Sequence, residues 1–231
     1  MIGAVLSLEL FSPMTIRIPY APYHSGSYPL PPPSTIKGAI AYPYAISRGL
    51  SERMYWKAIE EVGEIVAYAS AAYTSMLVRN TQLERFYQAI YQKPHRRAEP
   101  TWRWGTYFNE GYISFPRLLI FLLLRDEELV RYLYGIVRIG RKETIASVEE
   151  VVVDEPVLVE DTSICHPFYY PEGIARIDVE WVEFDDMGER YVVPLVSRVD
   201  ARINVTPTKR GLIARVGNYY CAPVPKSAVG V

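Results

Sequence analysis

Residues 19–33, PYAPYHSGSYPLPPP, place six prolines in fifteen positions. Proline holds φ at about −65° and has no backbone N–H, so this stretch can be neither a helix interior nor a central strand. It must run as a stiff, irregular loop between two regular elements. On its N-terminal side, AVLSLEL (4–10) alternates apolar residues with the strand period, and Met14–Ile18 extends or re-forms that strand after Pro13. On its C-terminal side, Ser34 or Thr35 is the expected cap of a helix over 35–48, despite Pro43. A second helix is predicted over about 51–62, with Ser51 as cap and Glu52 in its first turn.

Further along, EIVAYASAAYTSMLVR (64–79) fits a helix by its alanines and a strand by its partial alternation, and both readings stay open. YISFPRLLIFLLL (112–124) is a strand candidate interrupted at Pro116 and Arg117. RDEELVRYLYG (125–135) reads as a short helix, Asp126 near its start and Gly135 as C-cap, and TIASVEEVVV (144–153) as a strand. From 155 onward the chain looks all-β, with DDMGE (185–189) turning between IARIDVEWVEF and RYVVPLV. This order predicts an α+β class, with a ferredoxin-like domain over 1–153. It carries a long insertion at about 80–111 and is followed by a β-rich C-terminal part, 154–231.

A chain of 231 residues, 49% hydrophobic, can bury a sizeable core. Its net charge of −1 argues against an indiscriminate nucleic-acid coat. The charge is uneven, however: residues 1–145 carry 17 Lys/Arg against 12 Asp/Glu, and 146–231 carry 8 against 14. A basic first part and an acidic second part suggest a polyanionic neighbour and a protein neighbour. Cys165 and Cys221 stand far apart, which gives neither a disulfide framework nor a zinc site and points to a reducing cytoplasm. The N-terminus lacks the basic region of a secretory signal, and no apolar run is long enough to span a bilayer. Four Asn and three Gln beside nineteen Tyr have a thermophile flavour.

No nucleophile elbow, phosphate-binding lysine loop, zinc-protease motif or dinucleotide fingerprint occurs, and neither a metal nor a cofactor is expected. The informative tract is 79–142, with 12 Lys/Arg against six acids. It contains Arg79, Arg96 and Arg97, with Trp102 and Trp104 at its centre. Guanidinium groups fork onto phosphates and aromatic faces stack on unpaired bases, a combination suited to single-stranded RNA. The plainer alternative is a tryptophan-stapled hairpin with solvated arginines. His95, with Lys93 and Tyr91 beside it, also permits metal-independent RNA cleavage, the histidine moving a proton and the cation stabilising the phosphorane.

YPLPPPSTIKGAIAYPYA (28–45) resembles the early signature of the fifth CRISPR-associated (Cas-five) protein family, and VRIGRKETIASVEEV (137–151) is similar to its second. The resemblance covers roughly residues 1–153. It implies a RAMP-superfamily, RRM-related domain that caps the 5′ handle of the CRISPR guide RNA (crRNA) in a Cascade-type complex. One branch of the family cleaves precursor RNA, but Tyr91, Lys93 and His95 do not match it residue by residue, so binding without cleavage is expected. It further implies backbone and large subunits as partners, target DNA met only through the complex, and a "thumb" made by the insertion. An archaeal type I-A origin fits the sequence style. Ser34, Thr35 and Lys37 match the first signature and would offer backbone N–H groups and an ammonium to phosphate. Gly140, Arg141 and Lys142 match the second, while His24 and Tyr28 are further expected contacts from the proline loop. A precursor-processing endoribonuclease and a protein-only scaffold are the alternatives.

Overall fold

A computed structural model describes residues 1–16, 18, 27–74, 78–87, 105–114, 117–141, 144–159, 163–164, 166–196, 202–218 and 220–230, with backbone alone for 79–87, 105–112 and 114. The organising element is a four-stranded antiparallel sheet. Its strands are β1 (Ile2–Leu10), β2 (Val66–Tyr73), β5 (Arg117–Leu124) and β6 (Ala146–Asp154), in the order β2-β5-β1-β6. β5 lies between β2 and β1, and all its residues after Arg117 are buried, as a continuous apolar run demands when both faces of a strand are covered.

The two faces are covered by different parts of the chain. Ala4, Leu6 and Leu8 of β1, with Leu118, Ile120, Leu122 and Leu124, point to a core shared with Ile36, Ile40 and Tyr44 of α1 (Pro33–Ser47). Ala58 and Val62 of α2 (Tyr55–Ile65) and Leu133 of α3 (Val130–Leu133) complete that layer. Val5, Leu119, Phe121 and Leu123 point the other way. They meet Phe168, Ala214 and Val216 of β14 (Gly211–Val216), Ala222 and Val224 of β15 (Tyr220–Pro225), and Ala228 of α4 (Lys226–Val229). The period-two alternation legible in β1 thus sorts two cores.

Within 64–79, residues 64–65 end α2 and 66–73 form strand β2, whose Ala69, Ala71 and Tyr73 face the helices while Tyr68 and Ala72 face the other core. Ser70 is buried at 0% exposure and donates its hydroxyl to the Tyr169 carbonyl at 2.5 Å. The insertion begins and ends as a hairpin, β3 (Val78–Tyr87) pairing with β4 (Gly105–Ser114) in unbroken antiparallel register.

Several boundaries differ from the sequence expectation. Helix α1 starts at Pro33 with Pro32 as N-cap, and neither Ser34 nor Thr35 caps it. Proline suits the first helical position, since the N–H it lacks would have had no intrahelical partner. Ser51 precedes a short 3-10 turn, Glu52–Met54, rather than capping α2, and makes no side-chain cap bond. Gly135 does not adopt the left-handed conformation of a C-cap. Its lack of a side chain answers Pro43 instead, whose Cβ would lie 2.6 Å from a Cβ at that position. Asp126 does cap its helix start, accepting from the Glu128 N–H at 2.8 Å.

The C-terminal part forms three small antiparallel sheets. β7 (Val157–Val159) pairs with β14, and β8 (Ser163–Ile164) and β10 (Ala175–Ile177) flank β13 (Ile203–Pro207). β9 (Tyr170–Pro171) and β11 (Trp181–Asp186) flank β12 (Glu189–Pro194). The expected turn joins β11 to β12 as a two-residue connection, Met187 and Gly188 both at positive φ (52° and 87°). That is the combination a two-residue hairpin of this hand requires. Among the described residues no helix is long and apolar enough to cross a membrane, and no group of three His, Cys, Asp or Glu is placed to hold a metal ion.

Candidate nucleic-acid interface

The first signature presents two faces of α1. Ser34 and Lys37, three residues apart, look toward the β11–β12 hairpin. The Ser34 N–H and hydroxyl donate to the two carboxylate oxygens of Asp186 at 2.8 and 2.6 Å. The Thr35 N–H donates to the Pro32 carbonyl at 2.9 Å, and Pro33 has no N–H to give. Asp186 therefore takes the place expected for phosphate at the helix start. Burial lowers the pKa of the Lys37 ammonium, with Asp186 acting in the opposite sense.

Tyr28 also serves this hairpin. It is 5% exposed, donates its hydroxyl to the Asp185 carbonyl at 2.6 Å and packs edge-on against Phe184. Burial raises its pKa, with Asp186 and Asp185 adding to the effect. The structure thus gives Tyr28 and Ser34 tethering contacts between the proline loop, α1 and the acidic C-terminal part.

Thr35, Gly38, Ala39 and Tyr42 stand at i, i+3, i+4 and i+7 and form the other face. They line a cleft of about 490 Å³ together with Tyr55, Arg138, Gly140 and Arg141, closed by Thr15 and Ile16. The loop carrying the second signature reaches it through backbone bonds: Arg141 N–H donates to the Thr15 carbonyl at 3.1 Å and Ile139 N–H to the Thr144 carbonyl at 3.2 Å. Gly140 sits at φ 84°, and a Cβ there would come within 2.7 Å of Ile16 Cγ1 and 2.8 Å of the Thr15 carbonyl oxygen. Only glycine satisfies both the backbone conformation and the approach.

The cleft is basic and aromatic. Arg138 lays its guanidinium over the Tyr42 ring, 4.6 Å from the centroid, a stacking contact that pre-orders the cation. Tyr55 donates its hydroxyl to the Gly38 carbonyl at 2.8 Å, fixing α2 against α1. Burial raises the Tyr55 pKa, opposed by Arg138. None of the described lining residues is acidic.

Of the sequence-predicted contacts, Thr35, Gly140 and Arg141 come together here, while Ser34, Lys37 and Tyr28 lie along the hairpin. Arg79 lies on β3, where only the backbone is described. His24, Arg96, Arg97, Trp102, Trp104, Lys142 and the cleavage candidates Tyr91, Lys93 and His95 lie outside the described residues, as does Cys165. Gly38, Tyr42, Tyr55 and Arg138 were not singled out from sequence. The helical spacing from Thr35 could have found Gly38 and Tyr42. Tyr55 and Arg138 needed the fold.

The fold resembles that of a known CRISPR protein. A crystal structure of a CRISPR protein from Archaeoglobus fulgidus aligns with a TM-score of 0.64 over 97% of this chain and 99% of its own, at 19% identity. No family profile matches the chain. Among curated proteins, the CRISPR system aCascade subunit Cas5 1 of Saccharolobus solfataricus is 29% identical over 167 residues, covering 67% of this chain and 66% of the relative. The CRISPR-associated protein Cas5 3 of the same organism is 29% identical over 168 residues, with the same coverage. The match thus spans slightly less than two thirds of these relatives. The chain is similar in sequence to two Cas5 proteins of Saccharolobus solfataricus and similar in fold to a CRISPR protein of Archaeoglobus fulgidus.

Proposed function

We propose that this chain is a non-catalytic crRNA-binding subunit of a type I Cascade complex, holding the 5′ handle of the guide RNA at the α1 cleft. One observation carries the reading. Two signatures a hundred residues apart converge on a single cleft, which pairs Arg138 and Arg141 with Tyr42 and Tyr55 and has no acidic residue in its described lining. Arginine forks suit phosphodiesters and tyrosine faces suit unpaired bases. The strand order β2-β5-β1-β6, with α1–α2 and α3 as the two crossovers, supports the ferredoxin-like reading. Over β1, β2 and β5 the sheet is covered on both faces, while the edge strand β6 keeps exposed residues. RNA therefore meets helix and loop edges here rather than a strand platform, with the insertion as a thumb.

The curated relative described as an aCascade subunit supports a place in such a complex. An archaeal type I-A setting and a cytoplasmic location are part of the same proposal. The backbone and large subunits are the protein partners in this reading, and target DNA is met through the complex. The acidic C-terminal part, from 146 on, supplies the protein-facing surface.

Fluorescence anisotropy with a handle oligonucleotide tests the proposal. Wild type should bind with an affinity that falls steeply with salt. Arg138→Ala combined with Arg141→Ala should weaken binding and flatten the slope of log K against log salt by about 1.4, since each single-strand phosphate contact contributes about 0.7. Absence of salt-sensitive binding, with no RNA in the isolated complex, would establish the protein-only scaffold instead. Clean cleavage of a repeat transcript in EDTA, abolished by His95→Ala, would establish the endoribonuclease.

A further inference from the structure

Two glycines line the cleft, and the fold accounts for only one of them. Gly140 is required by its positive φ and by the nearness of Ile16 and Thr15. Gly38 lies inside α1, where glycine is a poor choice because it exposes backbone and forfeits conformational entropy. A Cβ built at Gly38 meets no described heavy atom within 4 Å, and its φ is not in the positive range. Among the described residues, neither packing nor backbone conformation asks for glycine. The Tyr55 hydroxyl bond to the Gly38 carbonyl does not ask for it either, since no Tyr55 atom comes within that range of the added methyl.

The position instead faces open space. Gly38 shares its helix face with Thr35 and Tyr42 and lines the cleft that Arg138 and Arg141 also line. Thr15, which also lines the cleft, is 3% exposed, and its Oγ1 has no hydrogen-bond partner among the described residues.

We infer that Gly38 is a ligand-imposed glycine: the ribose–phosphate backbone of a single RNA strand crosses α1 in van der Waals contact with it. A neighbouring phosphate then reaches the Arg138 and Arg141 guanidinium groups. This rests on the proposed RNA-binding role and deepens it. Mid-helix backbone N–H groups are consumed by the helix and the Gly38 carbonyl already accepts from Tyr55, so the contact at Gly38 is steric. Affinity comes from the flanking arginines, and Gly38 sets how near the strand can lie. Stacking on Tyr42 holds Arg138 in place before the strand arrives, which reduces the ordering cost of binding.

The test uses the full chain and a handle RNA oligonucleotide, with Gly38→Ala, Gly38→Leu and a matched control, Gly63→Ala. Gly63 is also a helical glycine whose Cβ would meet nothing within 4 Å, on α2 two turns beyond Tyr55. Both alanine variants should melt at or above the wild-type temperature, as alanine favours helix over glycine where space is open. Gly38→Ala should bind RNA about tenfold more weakly, a methyl forced into a close contact, and Gly38→Leu more weakly still. Gly63→Ala should bind as wild type does. If Gly38→Leu binds as tightly as wild type while wild type binds well, the inference fails and the RNA-binding role stands. If wild type itself does not bind, the role fails. A Gly38→Ala variant that melts below wild type would show that the fold requires this glycine and would also overturn the inference.

Discussion

Asp186 offers a test of how the acidic C-terminal part holds the first signature in place. Its carboxylate accepts both the N–H and the hydroxyl of Ser34, at 2.8 and 2.6 Å, across a sequence separation of 152 residues. It does for α1 what a side-chain cap does for most helices, from a distant strand. Asp186→Ala leaves the Ser34 donors to water and removes a negative charge from a helix N-terminus. Loss of a capping acceptor costs about 0.5–2 kcal/mol and loss of a favourable N-terminal charge about 0.3–1 kcal/mol. The contact is solvent-exposed, so the sum belongs near about 1–2 kcal/mol. For a chain of this length about 1 kcal/mol moves the melting midpoint by about 2–4 °C. Urea denaturation should show a lower midpoint for Asp186→Ala with an unchanged m-value. Asp186→Asn, which keeps an acceptor but not the charge, should fall between it and wild type. Ser34→Ala combined with Asp186→Ala should be much less than additive. Full additivity of the pair, or an Asp186→Ala midpoint equal to wild type, would refute the latch.

Three further outcomes follow from named contacts. Gly135→Ala places a methyl 2.6 Å from Pro43 Cβ and should cost about 1–3 kcal/mol by overpacking in thermal or urea unfolding, in contrast to Gly63→Ala. His166 is held below its ordinary pKa by burial, and its Nδ1 has no hydrogen-bond partner among the described residues. The unfolded chain therefore binds the proton more readily, so its stability contribution is complete above the ordinary histidine pKa of 6.5 and declines as pH falls below it. His166→Phe should flatten that part of the stability–pH curve, and an unaltered slope would assign it to other groups. In the thumb, Arg96→Ala with Arg97→Ala, or Trp102→Ala with Trp104→Ala, should weaken handle RNA binding without moving the melting midpoint. Equal affinity would return that tract to a solvated hairpin.

What could be read from sequence divides along the distance over which each feature is determined. The alternation in β1, the helix start at Asp126 and the Met187–Gly188 turn are set by a few neighbouring residues, and all were legible. Segment 66–73 was not, because its alanines become strand only when β5 pairs with it and Tyr169 receives the Ser70 hydroxyl. The start of α1 was misread for the same reason. Ser34 looks like a cap until Asp186 is brought to it from the far end of the chain. Pairings such as β7 with β14 and β8 with β13 leave no local trace. In the cleft, each signature was visible on its own, but Arg138 over Tyr42 joins residues nearly a hundred positions apart.

The most direct measurement places a photo-crosslinking amino acid at Tyr42 in the assembled complex carrying its guide RNA, and maps the crosslinked nucleotide. Crosslinks confined to the 5′ handle, and lost when Arg138 and Arg141 are replaced by alanine, are the expected result. Crosslinks to protein alone, or to the spacer and not the handle, would contradict the assignment of this cleft to the handle.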